Sequence, residues 1–221
     1  MEDLILQDKI LELGKKISNH KGEVGIFFEV GANDGITQSN TLILEKSLKW
    51  NGILVEPIHS SYEKLKLNRP NCKLFNYFLC NDKKEKIIME YDHSYKNLMA
   101  SIYKKKFFEF KRPKTTKVDT SNFNFIVEKS NFNQVDFLSL DVEGYEFEII
   151  QSIDFKKYKP YAILIEVWKD KSFEIFDFLT KKNYIAVSNI SNFSENTHPN
   201  WSGNHQDFLF IKKEFSKYYF D

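Results

Sequence analysis

The sequence predicts an α/β fold: a mostly parallel sheet of about seven strands with helices on both faces and a terminal antiparallel strand. Three stretches carry the prediction. Ile26-Phe-Phe-Glu-Val-Gly-Ala-Asn-Asp-Gly35 is a short apolar run that contains Glu29, followed by a turn bracketed by Gly31 and Gly35. Ile53-Leu-Val-Glu-Pro57 is a second apolar run, and its Glu56 stands 25 residues beyond Gly31. Val135-Asp-Phe-Leu-Ser-Leu-Asp141 is a third, followed by a turn and a helix. Short apolar runs between helical stretches read as strands buried on both faces. Strand, glycine turn and helix form the entry to a nucleotide-binding βαβ unit.

The elements follow in order. Residues 3–18 read as an amphipathic helix, with Leu6, Ile10, Leu13 and Ile17 at helical spacing. It covers the sheet or, alternatively, helps close a ligand site or forms a dimer face. Ile26–Val30 is the first strand. Thr37 or Ser39 then caps a helix over Thr41–Trp50. Asn51-Gly52 makes a tight turn into the second strand, Ile53–Glu56. Ser60-Ser-Tyr-Glu63 matches a capping box and predicts a helix over Ser61–Asn68. Lys73–Cys80 is the third strand, with Asn81 and Asp82 at its end, and Lys86–Tyr91 fits an added strand.

Residues 92–117 break the rhythm. Lys104, Lys105, Lys106, Lys111, Arg112, Lys114 and Lys117 alternate with Tyr103, Phe107, Phe108 and Phe110. This stretch reads as a solvated insertion with aromatic anchors, or as a lid that steers an anionic acceptor. Ser121–Ser130 is helical, Val135–Leu140 is the fourth strand and Glu146–Ile153 the next helix. Tyr161–Val167 is the fifth strand and carries Glu166 near its end. Ser172–Lys182 is an amphipathic helix and Tyr184–Ser188 the sixth strand. A polar loop over 190–206, holding His198, Trp201 and His205, leads to the last strand, Asp207–Lys212. No repeat or linker divides the chain, so residues 1–221 read as one domain.

Bulk properties exclude several classes. The formal net charge of +1 gives no general affinity for nucleic acid or anionic membrane. No apolar run is long enough to span a bilayer, and the acidic N-terminus is unlike a signal peptide, which makes the cytoplasm the expected compartment. The 21 Phe and 11 Tyr supply a substantial core despite a mean hydropathy of −0.47. Cys72 and Cys80, eight residues apart around the third strand, share a face as reduced thiols, and no ligand pair for zinc accompanies them.

Ligands of such sheets sit beyond the carboxyl ends of the strands, at the switch in strand order. Glu29, Gly31, Glu56, Asn81, Asp141 and Glu166 all fall there. An acid ~20 residues past the glycines accepts ribose hydroxyls in dinucleotide folds, the role expected of Glu56. The glycine spacing departs from Gly-x-Gly-x-x-Gly, and Gly-Lys-Ser/Thr is missing. A nucleoside ligand without a pyrophosphate remains, and S-adenosylmethionine fits that description.

Phe28-Glu-Val-Gly-Ala-Asn-Asp-Gly35, Ile53-Leu-Val-Glu-Pro57 and Leu138-Ser-Leu-Asp-Val-Glu-Gly-Tyr-Glu146 together resemble the FkbM-type methyltransferases, over Ile26 to Phe155. The resemblance implies a Rossmann-like class I methyltransferase fold and S-adenosylmethionine as cofactor. It also implies an oxygen acceptor, often on a sugar or natural product, as in surface-polysaccharide biosynthesis; the basic stretch over 92–117, read as a lid, points to a nucleotide sugar or phosphorylated saccharide. Gly31 to Gly35 would wrap the methionine end of the donor. Glu29 would order this loop or hold a water. Asn33 and Asp34 would meet the donor's ammonium group, although Asp34 equally well caps the turn. Glu56, followed by Pro57, would take the ribose. Asn81 or Asp82 would meet the adenine amine or serve as an ordinary turn pair. Asp141 would lie nearest the sulfonium. The base that a hydroxyl acceptor needs is sought among Asp141, Glu143, Glu166 and His205. A divalent cation at Asp141, Glu166 and His205 is conceivable but not expected. A homodimer stays open. Two other readings stand beside this one: a non-catalytic methyltransferase-like binding module, and a nicotinamide-dependent oxidoreductase, against which the glycine spacing argues.

Overall fold

The computed structural model describes residues 2–81, 86–91, 100–102, 113–190 and 203–220. Helix α1 (Glu2–Lys21) leads into β1 (Ile26–Val30), α2 (Leu42–Leu48), β2 (Asn51–Val55), α3 (His59–Asn68) and β3 (Lys73–Phe75). Then come β4 (Phe78–Leu79), β5 (Lys86–Tyr91), β6 (Ser101–Ile102), β7 (Lys114–Ser121), α4 (Phe123–Ser130), β8 (Phe137–Leu140) and α5 (Glu146–Ser152). The chain closes with β9 (Ala162–Trp168), α6 (Ser172–Lys181), β10 (Tyr184–Asn189), β11 (His205–Lys212) and α7 (Ser216–Phe220).

Seven strands form the main sheet in the order β10-β11-β9-β8-β1-β2-β3. β11 alone runs antiparallel to both its neighbours, and the other pairings are parallel. The order reverses between β1 and β8, so the crevice for a ligand opens where Val30 stands beside Leu140.

Alternation along the buried strands sends side chains to two cores. Phe28, Leu138 and Ile163 pack with Phe123, Ile126, Ile149 and Ile175 of α4, α5 and α6. Phe27, Phe137 and Leu164 pack with Ile10, Leu13 and Ile17 of α1, Leu44 of α2 and Leu65 of α3. The helix stripe read in residues 3–18 is therefore a sheet cover. At the amino end of the sheet Asp136 accepts from Lys21 Nζ (2.6 Å) and from the Ile26 amide (2.7 Å), a buried ion pair that fixes the start of β1.

The structure departs from the sequence reading in several places. The single third strand breaks in two. Asn76 Nδ2 donates to the Glu56 carbonyl (2.7 Å) and the Pro57 carbonyl (2.9 Å), which turns the chain out of the main sheet after Phe75. Phe78–Leu79 then pairs with β7 in a smaller sheet, ordered β4-β7-β5-β6. Cys72 and Cys80 consequently share no face: Cys72 packs beside the α1–α3 core, while Cys80 lies in a separate cluster with Ile58, Phe78, Met89 and Val118. Neither is in a disulfide. The capping box at Ser60 is not made, because α3 starts at His59 with Ile58 as its cap, and Glu63 pairs with Lys66 instead. The Ile58 amide donates to Glu56 Oε1 (2.7 Å). Ser121 ends β7 rather than opening a helix, and Asn122 caps α4 by accepting from the Phe125 amide (2.9 Å). Of the basic and aromatic stretch over 92–117, residues 92–99 and 103–112 lie outside the described residues, as do Asp82, His198 and Trp201. No helix among the described residues is long and apolar enough to cross a membrane.

Candidate active site

β1 ends in a loop that one buried acid organises. Glu29, 4 % exposed, accepts from Ser39 Oγ (2.9 Å), Thr41 Oγ1 (2.7 Å) and the Asn40 amide (2.8 Å). Ser39 Oγ accepts in turn from the Leu42 amide (3.2 Å), so of the two expected caps it is Ser39 that reaches the start of α2. From the end of α3 a fully buried Arg69 completes the network. Its guanidinium donates to Glu45, to the Gly35 carbonyl (3.0 Å), to Ser39 Oγ (3.1 Å) and to Thr41 Oγ1 (3.3 Å). Arg69 also lies over the Phe27 ring. A guanidinium suits this position because its fixed fork satisfies several oxygens at once.

The two glycines of the loop answer to the protein itself. Gly31 has φ +83, and a Cβ there would stand 1.9 Å from the Asp141 carbonyl oxygen. Only glycine lets the β1 loop pack against the end of β8. Gly35 has φ +77 and lies against Leu65 and Arg69.

Between the glycines the two polar residues divide the work. Asp34 Oδ1 accepts from the Thr37 amide (2.7 Å) and the Ile36 amide (3.0 Å), the turn-capping role of the two expected for it. Partial burial raises its pKa, but the Thr37 and Ile36 amides outweigh this and hold it below the ordinary value. Asn33 has φ 47, and its amide donates to Glu56 Oε2 (2.9 Å). The residue is 6 % exposed, and its Nδ2 is buried without a hydrogen-bond partner among the described residues.

Glu56, 5 % exposed, joins this loop to the second strand by accepting from the Asn33 and Ile58 amides. Burial pushes its pKa up to about 7 against the lowering effect of those two amides. Each carboxylate oxygen keeps a second lone pair. Asn81 is exposed on the turn after β4, and no hydrogen bond brings it against Glu56.

The opposite wall is a second group of acids. Asp141, accessible to solvent just past β8, is pushed up to about 6 by the protein mass around it and then by the Glu29 carboxylate. Glu143 follows at φ 58, an uncommon backbone state for a side-chain-bearing residue, and Gly144 at φ 91. Glu146 holds this turn by accepting at Oε1 from the Val142 amide (2.9 Å) and the Gly144 amide (3.1 Å). Burial, with Asp141 adding to it, pushes Glu146 up to about 8. The antiparallel register sets Asp207 directly opposite Glu166 and His205 opposite Trp168. Asp207 is pushed up to about 7 by burial and then by Asp141. Glu166 accepts from Trp168 Nε1 (2.7 Å) and lies 3.6 Å from His205 Nε2. Burial and then Asp141 raise Glu166 well above its ordinary value. Burial, then Asp141, Glu146 and Asp207, do the same to Glu143. Burial lowers His205. Among the described residues no Lys or Arg pairs with Asp141, Glu143, Glu146 or Glu166, and no three His, Cys, Asp or Glu side chains converge as a metal site.

The sequence profile of the methyltransferase FkbM domain matches residues 29–186, from the acid that organises the loop into β10. The chain belongs to the FkbM methyltransferase family. No curated protein matches it. Solved structures similar to this FkbM methyltransferase include the N-terminal domain of human METTL16 in complex with SAH. The two share 10 % identity, with 95 % of this chain and 70 % of that one covered and a TM-score of 0.48. Another is a precorrin-6y C5,15-methyltransferase from Geobacter metallireducens, with 11 % identity, 85 % and 80 % coverage and a TM-score of 0.43. Family membership makes S-adenosylmethionine the methyl donor. The loop residues fit it: a buried amide at Asn33 has no acceptor among the described residues.

The structure thus brings Asp141, Glu143, Glu166 and His205 to one wall, and Glu29, Gly31, Asn33, Asp34, Gly35, Glu56 and Pro57 to the other. Arg69, Asn76 and Asp207 are additions that sequence reasoning missed. Arg69 and Asp207 reach the site only through tertiary pairing. Glu146 had a signal, the Asp-x-Glu-x-x-Glu spacing, which places it where it can reach back to the turn.

Proposed function

We propose that this FkbM enzyme is an O-methyltransferase acting on a small polar acceptor, a saccharide, nucleotide sugar or phosphorylated sugar of surface-polysaccharide or natural-product biosynthesis. The observation that carries the reading is the group of carboxylates around Asp141, without lysine or arginine partners among the described residues, with a histidine at its edge. S-adenosylmethionine supplies a methyl group on a positively charged sulfur, and an anionic wall suits that charge.

The residues divide the task. Glu56 accepts the ribose hydroxyls through its remaining lone pairs, and Asn33 Nδ2 donates to an oxygen of the donor. Glu29 and Arg69 hold the loop that carries both groups, so that little ordering remains to be done on binding. Asp141 faces the cationic end. His205 takes the acceptor's proton: burial lowers its pKa, which keeps the imidazole unprotonated and able to accept at neutral pH. Glu166, 3.6 Å away, is the nearest acidic partner for the ring. Alignment of acceptor and methyl supplies much of the rate.

Calorimetric titration of S-adenosylmethionine and S-adenosylhomocysteine into wild-type protein and Glu56→Ala tests the donor half. Micromolar binding that the substitution abolishes is expected. Folded wild-type protein that binds neither compound would sink the reading in favour of a non-catalytic binding module.

A further inference from the structure

A cavity of about 590 Å³ opens at the edge of the site, between the end of β9, the start of α6 and the start of β11. Its walls are Val167, Phe173, Phe176 and Phe208, with Lys169 at the rim and His205 on the side toward Glu166. Phe176 is locked edge-on against Phe208 and Phe210, with centroids 5.1 and 5.0 Å apart, so this aromatic wall is already formed. Phe173, in the first turn of α6, is 79 % exposed although it is large and apolar. No acid among the described residues lines the cavity. The neighbouring Lys171 pairs with Glu174 (3.4 Å), whereas the exposed Lys169 has no carboxylate partner among the described residues. Aromatic faces around a cavity of this size, with one cation at the mouth, fit a planar ring that carries an anion.

We propose that this cavity is the acceptor's docking site and that the acceptor is a nucleotide sugar. The base stacks on Phe173, Phe176 and Phe208, the phosphates meet Lys169, and the sugar hydroxyl is directed to His205. Among the acceptor classes named above, only this one combines a planar aromatic ring with an anion. His205 connects the two sites, because one side of it borders the cavity and the other faces Glu166. The identification of the occupant as the acceptor rests on the methyltransferase reading; the binding chemistry does not.

The test uses full-length protein saturated with S-adenosylhomocysteine, titrated with uridine, cytidine, guanosine and thymidine diphosphates. At least one should bind saturably, while inorganic pyrophosphate and the matching nucleoside each bind at least about tenfold more weakly. Base stacking on an aromatic ring is worth ~1–3 kcal/mol, so Phe173→Ala should weaken that diphosphate by about tenfold. Lys169→Met should weaken it by a similar factor and leave the nucleoside alone. Phe173 and Lys169 are both exposed, so neither change threatens folding. The affinity for S-adenosylhomocysteine should be unchanged in both variants, which separates this site from the donor site. No binding of any diphosphate at millimolar concentration, or binding that ignores both substitutions, overturns the proposal. Failure of S-adenosylhomocysteine to bind would instead count against the donor reading.

Discussion

Two groups of acids border the crevice, and they differ in how far a cation meets their charge. On the β1 side Glu29 and Glu45 are neutralised by Arg69 and satisfied by hydroxyls and an amide. On the β8–β11 side Asp141, Glu143, Glu146 and Glu166 have no lysine or arginine among the described residues, and their proton affinities are raised. A paired acid stabilises a loop. Acids held together without a cation store electrostatic repulsion, which a cationic ligand or a proton relieves. The contrast assigns structure to the first group and chemistry to the second, and it can be tested from both ends.

The largest effect should come from breaking the paired side. Arg69→Met leaves Glu45 and Glu29 buried without their cation, a loss of ~3–5 kcal/mol by the measure of other buried pairs. Urea denaturation reads it directly, and a midpoint within error of wild type would mean that the network does not organise the loop.

pH acts on the acids that have no cation, Glu56 on the β1 side among them. Asp141, Glu56, Asp207 and Glu146 have folded-state values pushed up to about 6, 7, 7 and 8. Between the ordinary carboxylate range and these values the folded protein holds protons that the unfolded chain has released. Stability is therefore full at acid pH and falls as pH rises through about 6 to 8. Thermal unfolding of the ligand-free protein should show a lower midpoint at pH 8 than at pH 5.5. A midpoint that rises over that interval would remove the claim that these acids are uncompensated.

A smaller change separates charge from shape. Asp141→Asn should weaken S-adenosylmethionine, with its sulfonium, by about tenfold. S-adenosylhomocysteine, whose sulfur is neutral, should be affected much less, and the variant should be at least as stable as wild type at pH 7. Equal losses for both ligands would move Asp141 away from the sulfur. The smallest effect belongs to Asn33→Gly, which keeps the positive φ and deletes only the orphan amide. Loss of one hydrogen bond of about 1 kcal/mol should weaken donor binding by about fivefold with little change in stability.

Much of this was legible because it is local. The runs at Ile26, Ile53 and Val135 announce buried strands, and acids at their ends announce a crevice. The break after Phe75 was not legible, because the residue that causes it, Asn76, acts on carbonyls at 56 and 57. β7 was hidden for a related reason. Lys114–Ser121 alternates polar residues without an apolar face, and its strand is defined by register with Lys86–Tyr91.

The sequence by itself determined the strands, the helix stripes that cover them, and the acids at the carboxyl ends, since all of these follow from periodicity and from what a buried strand tolerates. Only the tertiary structure decided which acids are paired. Arg69 meets Glu45 and Glu29 from a different helix, and Asp207 meets Glu166 only because β11 inserts antiparallel beside β9. Charge compensation is a property of distance in space, and distance along the chain does not encode it.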